Sequence, residues 1–496
     1  RQLYMSKIYM PLIAGLLSLL FGGCSDFLEG KSQDEVIVTT TSDYSELLMG
    51  AGYPEPVGSS LYSIISYLDD DVDFPLSTVQ SNFYPTTRDD DYFARHTWQP
   101  DLYEQGSGTE VTATTYYKLY QKIMGCNAVL DGIDEALGAQ EERSRVKAEA
   151  LALRAFYYFI LVNIYGQPYN YDKEALGVPL KLTAVLEDVG KPRNTVAEVY
   201  DQILTDLTRS EELFTPLKVN NNDYRINLPS VQILLSRVYL FMEEWEQAAE
   251  AATRAMKHGI YLADLTTITE DNAFRIICYD PNGGTSEVVW SFGGSLWNGS
   301  MPNNVTPGPS DAFLNLCSLN SADCRFGEKG FFLRPRKNEG SDDITGYKIF
   351  YTENLYGPFQ ALRMSEAYLN RAEANAQLGG THLQEALNDL NELRSKRIEG
   401  YVSENDVTGL LENIRKERRL ELCFTGLRWF DLRRYGMPAI THYFKETQLS
   451  PVMRYTLQEK DPMYTLPIPN SILLQNNYLE SNPSNGGPER IGEIVY

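Results

Sequence analysis

Histidine is scarce in this chain. His96, His258, His382 and His442 are the only four among 496 residues, and they are scattered. General-base chemistry must therefore fall to carboxylates, and a zinc site has little to draw on. HExxH, P-loop and GxSxG patterns are missing; Gly293-Gly-Ser295-Leu-Trp297 fails the last of these at its final position. Cysteine is sparse too, with six residues and no CxxC spacing. Cys126 and Cys423 fall in helical patterns and are expected to be buried apolar residues. Cys317 and Cys324 sit across a polar turn, where free thiols are favoured over a bridge. Positive charge is also short: 44 Lys+Arg face 67 Asp+Glu, for a net charge of −23. That balance argues against a nucleic-acid partner and against a basic patch gripping anionic lipid. After residue 24 no apolar run looks long enough to span a membrane.

What is present in excess is tyrosine: 33 Tyr, with 20 Phe and 5 Trp, give the chain many rings, most carrying a hydrogen-bonding hydroxyl. The first segment reads as an address. Arg1 and Lys7 precede an apolar run, Ile8 to Phe21, broken only by Pro11, Gly15 and Ser18, and Gly22-Gly23 lead into Cys24. The run is too short for a comfortable transmembrane helix. Small residues before a lone cysteine resemble a bacterial lipoprotein cleavage site. Residues 1–23 are thus expected to be a signal peptide and Cys24 the lipidated first residue of a body tethered to a membrane rather than crossing it. An ordinary secretory signal with an incidental cysteine is the alternative.

Several segments carry helical periodicity. Val146, Ala150, Leu153, Tyr157, Ile160 and Ile164 form one apolar stripe, stopped by Gly166 and Pro168. Val231 to Trp245, Met364 to Asn375 and Leu383 to Leu393 give others, and 116–137 and 196–214 look helical as well. Two stretches resemble each other: Tyr239 to Ala248 leading into Ala252, and Ala374 to Ala386 leading into Leu390. Each reads as a helix, a tight turn and a second helix with a bulky residue three places before an alanine, Trp245/Ala248 and Leu383/Ala386. This is a degraded tetratricopeptide hairpin. The copies are not tandem, being 138 residues apart. The sequence thus predicts a mostly α, tetratricopeptide-like helical-hairpin scaffold, mainly 113–258 and 360–435, within one domain spanning 24–496. Loop-rich insertions at 53–112 and 259–358 are where binding surfaces are expected.

The acidic run Asp69-Asp70-Asp71-Val72-Asp73 has calcium-loop spacing, but Phe74 replaces the required Gly and Gln80 the terminal Glu. A solvated acidic turn is the favoured reading, and a structural calcium outside the EF-hand pattern the alternative; no other cofactor is expected. Trp245, Trp290 and Trp429 lie in regular patterns and suit a core. Trp98 and Trp297 lie in loops among polar residues, where flat rings suit the C–H faces of sugars, with Arg88, Asp89, Asp91 and Tyr92 as polar and aromatic neighbours. A local plug against the core is the competing reading for each Trp. A carboxylate pair for glycoside hydrolysis cannot be picked out among so many acids.

Five motifs in order resemble the SusD/RagB family of outer-membrane nutrient-binding lipoproteins: Cys24-Ser-Asp-Phe-Leu-Glu29, Arg154 to Gly166, Arg363 to Ala374, Glu417 to Arg434, and Tyr464-Thr-Leu-Pro-Ile-Pro469 with Asn482-Pro483. The alternating signs of the fourth motif suggest internal ion pairs rather than an anion site. The resemblance implies a tetratricopeptide-type fold held on the outer membrane by its lipid, a SusC-like TonB-dependent transporter as partner, and an oligosaccharide ligand on an aromatic platform. Some members are linked instead to peptide uptake. The expected function is non-catalytic glycan capture and delivery. Peptide capture, a lipid-anchored glycoside hydrolase and a pure protein-docking scaffold are the alternatives.

Overall fold

Caps and stops written in the chain delimit the helices. The computed structural model describes residues 38–55, 60–73, 90–103, 113–187, 189–218, 224–268, 287–294, 308–337, 344–349, 360–447 and 449–495. Thr40 and Asp43 form a reciprocal capping box at the start of α1 (Thr41–Leu47). Next come α2 (Asp90–His96), inside the loop-rich stretch, and α3 (Ala113–Leu130). The long α4 (Gln140–Tyr165) stops at Gly166, before Pro168. Thr195 and Glu198 box the start of α5 (Val196–Phe214). Asn227 caps α6 (Leu228–Phe241), which has Pro229 in its first turn, and α7 (Trp245–Ala255) completes that hairpin. After α8 (Asp311–Ser318) the scaffold resumes with α9 (Met364–Leu378), closed by Gly379 at φ +69°, and α10 (Leu383–Ser395). Then follow α11 (Leu410–Glu421), α12 (Leu427–Arg434) and the short α13 (Asn470–Gln475).

The two hairpins, distant in sequence, are neighbours in space: α7 packs on α9. Ala248 and Ala374 share a small core with Leu240, and Trp245 is half-buried against it. Ala372, Ala386 and Leu390 share the next core with Ile414 of α11. Alanine at each contact lets the helices approach, and the interval 259–358 departs from the scaffold between two adjacent repeats. The stripe expected on α4 is wider than a stripe. Every residue from Ala148 to Tyr165 is buried, so this helix, long and apolar enough to cross a membrane by length and composition, lies inside the protein.

Strands are short. β1 (Val72–Asp73) pairs antiparallel with β3 (Gly308–Pro309), and β2 (Val288–Phe292) with β6 (Gln360–Arg363). β4 (Leu333–Lys337) and β5 (Ile344–Ile349) form a hairpin. Near the end of the chain β7 (Ile440–Phe444), β8 (Val452–Leu457) and β9 (Glu493–Val495) make a three-stranded sheet.

The interior holds a connected cluster of charges. Arg397 spans Glu287 (2.8 Å) and Glu421 (2.9 Å), Arg363 reaches the same two carboxylates (2.9 and 2.7 Å), and Arg325 joins Glu421 (2.9 Å) to Asp323 (2.7 Å) and Glu417 (2.6 Å). All seven side chains are buried. The Arg/Glu-rich segment thus makes internal ion pairs, but most cross to other segments. Arg434 reaches Glu373 (2.7 Å), Arg428 reaches Asp70 (2.7 Å) and Arg419 reaches Asp71 (2.6 Å).

Those last pairs correct the reading of the acidic run. Asp69, Asp71 and Asp73 are buried rather than solvated. Guanidinium groups neutralise Asp70 and Asp71, and Asp73 accepts from the Tyr443 amide (2.8 Å). Arg419 bridges Asp70 and Asp71 (3.2 and 2.6 Å), and among the described residues no cluster of His, Cys, Asp or Glu is disposed to hold a metal. Cys126, Cys317, Cys324 and Cys423 are free thiols, and Cys126 and Cys423 are fully buried, as their patterns suggest.

Candidate functional site

Trp98 does not lie on a surface. It is completely buried, its indole N–H donating to the Leu68 carbonyl (3.0 Å). Its ring stacks on His442 (centroids 4.2 Å), and His442 stacks in turn on His96 (4.2 Å). The polar neighbours that suggested exposure, His96, Thr97 and Gln99, are themselves buried. Gln99 Nε2 donates to the Arg490 carbonyl (3.0 Å) and Thr97 Oγ1 to that of Phe93 (2.8 Å). Trp98 is the core plug, not the platform. Asp91 and Tyr92 belong to α2, but the placement of their side chains lies outside the described residues, as do Cys24, Arg88, Asp89, Trp297 and Cys278.

The ring stack carries a pH dependence. Burial pushes the imidazoles of His96 and His442 each down to about 4; for His442 the facing His96 and Asp69 carbonyls oppose that shift without reversing it. Both are neutral at pH 7, while in the unfolded chain they take up protons near pH 6.5. The stability they contribute is therefore complete above pH 6.5 and is lost as pH falls towards 4. The unfolding free energy measured with urea should drop between pH 7 and 5 by about 1–2 kcal/mol per imidazole, and His96→Asn should flatten that slope.

Concavity lies instead in the 259–358 insertion. An open groove of about 920 Å³ is bounded by α8, the turns that follow it, the β4–β5 hairpin and Leu265 to Ile268. Phe326, Phe331 and Tyr347 supply rings, and Asn315, Asn320 and Ser321 supply amide and hydroxyl groups. Tyr347 is half-buried, and burial raises its phenol above the usual value. Phe326 is braced edge-on by Phe313 (6.0 Å) and Phe332 (6.4 Å).

The turn at 322–325 joins the groove wall to the scaffold. Asp323 and Cys324 line it, while the next residue, Arg325, runs inward to Glu417 and Glu421. The Cys324 amide donates to the Arg397 carbonyl (2.8 Å), and the Glu399 amide to that of Ala322 (2.9 Å). The buried ion cluster therefore sets the position of the ring-bearing wall. Two acids on the wall are engaged: Asp323 with Arg325, and Glu328 with Lys337 (2.7 Å).

A second cleft of about 530 Å³ runs between α7, α9 and α10 and is lined by Glu250, Lys257, Arg371, His382 and Glu385 among others, with no Phe, Tyr or Trp. Arg371 there is held bidentate by Asp389 (2.8 and 2.6 Å). The ringed groove is the better match to a ligand with C–H faces. Reading the sequence for tryptophan alone missed it, since its rings are Phe and Tyr; the signal available was the insertion itself.

Two family models match in chain order. One, described as starch-binding associating with outer membrane, covers residues 60–240; the other, described as the SusD family, covers 352–484. The chain belongs to the SusD/RagB family. A SusD-like protein of Formosa agariphila is 26% identical over 407 residues, 70% of this chain and 78% of that protein. The fold is shared with a SusD superfamily protein from Bacteroides thetaiotaomicron (22% identity, 90% of this chain and 100% of the other, TM-score 0.66). It is shared also with a SusD-like carbohydrate binding protein from Bacteroides vulgatus (22% identity, 89% and 97%, TM-score 0.65). The mostly α, SusD-like helical scaffold expected from the sequence is the fold observed.

Proposed function

We propose that this SusD-like protein is a surface glycan-binding lipoprotein that captures oligosaccharide and delivers it to a SusC-like TonB-dependent transporter, with Cys24 carrying the outer-membrane lipid. The observation that carries the glycan reading is the groove. Rings and amides line the same groove, and its turn at Asp323 and Cys324 is bolted to the scaffold through buried ion pairs, so that part meets a ligand already ordered. The starch-binding description of the matched family model supports the same ligand class. Sugar rings would stack on Tyr347 while Asn315, Asn320 and Ser321 take hydroxyl hydrogen bonds. Trp297, Tyr92, Arg88 and Asp91 are proposed as further ligand-binding residues.

A glycan array followed by calorimetry tests this. Tyr347→Ala is expected to weaken binding of the selected oligosaccharide by about 1–3 kcal/mol, the cost of a central aromatic contact, with unfolding unchanged. Full affinity in that variant removes the groove from the account. Parallel screening of oligopeptides separates peptide capture, and new reducing ends released from polysaccharide would instead reveal a glycoside hydrolase. Cys24→Ala should move the protein from the membrane to the soluble fraction.

A further inference from the structure

The loop after α4 is built to be rigid, and yet it presents apolar side chains to solvent. Its backbone is pinned from beneath. Tyr158 Oη accepts from the Lys181 amide (2.7 Å), Asn127 Nδ2 donates to the Lys181 and Thr183 carbonyls (2.9 and 3.3 Å), and Arg154 Nη1 donates to that of Leu182 (3.2 Å). Asp131 Oδ2 accepts from the Ala184 amide (2.7 Å). At the far end Asn476 Nδ2 donates to the Lys191 carbonyl (2.8 Å). Between these anchors Val185 is 65% exposed, Leu186 88% and Val189 63%, with Leu182 just over one-third exposed. The loop's own charges cancel in sequence, Lys181 and Lys191 against Glu187 and Asp188, and both lysines pair with Glu187 (2.8 and 3.1 Å). In a protein of net charge −23, a fixed, locally neutral apolar tip calls for a partner surface.

The place where the chain joins the fold says which surface. Thr39 and Thr41 bracket Leu137 through main-chain hydrogen bonds (both 2.9 Å), and Leu137 is itself exposed. Leu137 follows closely on Asp131, the residue that holds the apolar loop, so loop and chain junction share the end of α3. Only thirteen residues lie between Cys24 and Val38, a reach of about 50 Å at full extension. We infer that Val185, Leu186 and Val189, with Leu182 in the same loop and Leu137 at the chain junction, form a contact that seats this end of the molecule on the lipid surface. This rests on the reading of Cys24 as the lipidated residue. The tether then supplies a high effective concentration, so a small apolar contact suffices to orient the body.

The test is hydrogen exchange on the full mature chain, acylated at Cys24 and reconstituted in phosphatidylethanolamine/phosphatidylglycerol vesicles, with the Cys24→Ala chain in buffer as reference. Amides of 185–189 should exchange several-fold more slowly on vesicles, and Val185→Asp/Leu186→Asp should abolish the slowing. Both positions are exposed, so folding is not at stake. Mass analysis of the N-terminal peptide reads acylation separately. Acylation with no slowing overturns the loop contact and leaves the anchor standing. A bare Cys24 overturns the anchor, and the loop contact then stands only if excess vesicles slow the same amides in the unacylated chain; no slowing there overturns it too. Slowing that survives the aspartates, or that needs native membranes rather than these vesicles, also overturns the lipid assignment, the latter in favour of a membrane protein.

Discussion

Arg397→Met is expected to destabilise the protein by about 3–5 kcal/mol, the cost of leaving buried charges without their partner. Arg397 is fully buried and holds Glu287 and Glu421 together, with Nη1 donating to the Ala263 carbonyl (2.7 Å). Without it the two buried carboxylates keep, as cationic partners among the described residues, Arg363 and Arg325. Arg397→Lys should rescue little, since one ammonium cannot reproduce the forked contacts. Arg454→Ala, removing an exposed pair with Glu493, is the matched control and should be nearly silent. Urea denaturation reads all three.

The same cluster predicts acid sensitivity with a definite sign. Burial alone would raise the Glu421 carboxyl, but Arg397, Arg363 and Arg325 outweigh it and hold the group well below the usual range. The stability it contributes is present above the unfolded value near 4.3 and is lost as pH falls below that. This loss is distinct in range from the histidine effect, which begins near pH 6.5. Since the cluster also positions the groove wall, the Arg397 variant should lose ligand affinity even under conditions where it remains folded.

Trp98→Ala is expected to cost about 3–5 kcal/mol as well, by opening a cavity in a fully packed site. The substitution also strips the Leu68 carbonyl of its donor and His442 of its stacking partner. Trp98 sits at φ +53°, a left-handed conformation that bulky residues rarely adopt. Neighbouring contacts hold it there, including Arg490 Nε donating to its carbonyl (2.7 Å). A surface platform residue would lose affinity with little change in unfolding. Here thermal or urea unfolding should shift first, and any loss of ligand affinity should track the folded fraction.

Trp98 and the acidic run fail as surface features for one reason. Each is flanked by polar residues, and local polarity stands for exposure only when those side chains remain in water. In this protein they have found partners inside: His442 with the Asp69 and His96 carbonyls, Gln99 with Arg490, and Asp70 and Asp71 with Arg428 and Arg419. Those partners lie hundreds of residues away, beyond any window of sequence. The Arg/Glu-rich segment shows the limit from the other side. Its sign pattern signalled interior pairing, but Glu373, Asp70 and Asp71 as partners could not be named from it.

The sequence by itself determined the helices, their caps and stops, the two hairpins and the insertion between them. These depend on periodicity, chain stiffness and hydrogen bonds between near neighbours, all local quantities. The tertiary structure alone decided that the hairpins stack as adjacent repeats, that Trp98 is core, and that a ringed groove stands on a buried cluster of seven charges. Burial and ion pairing are properties of what the fold brings together, and desolvation makes a partner from a distant segment outweigh the polarity of the residues next door.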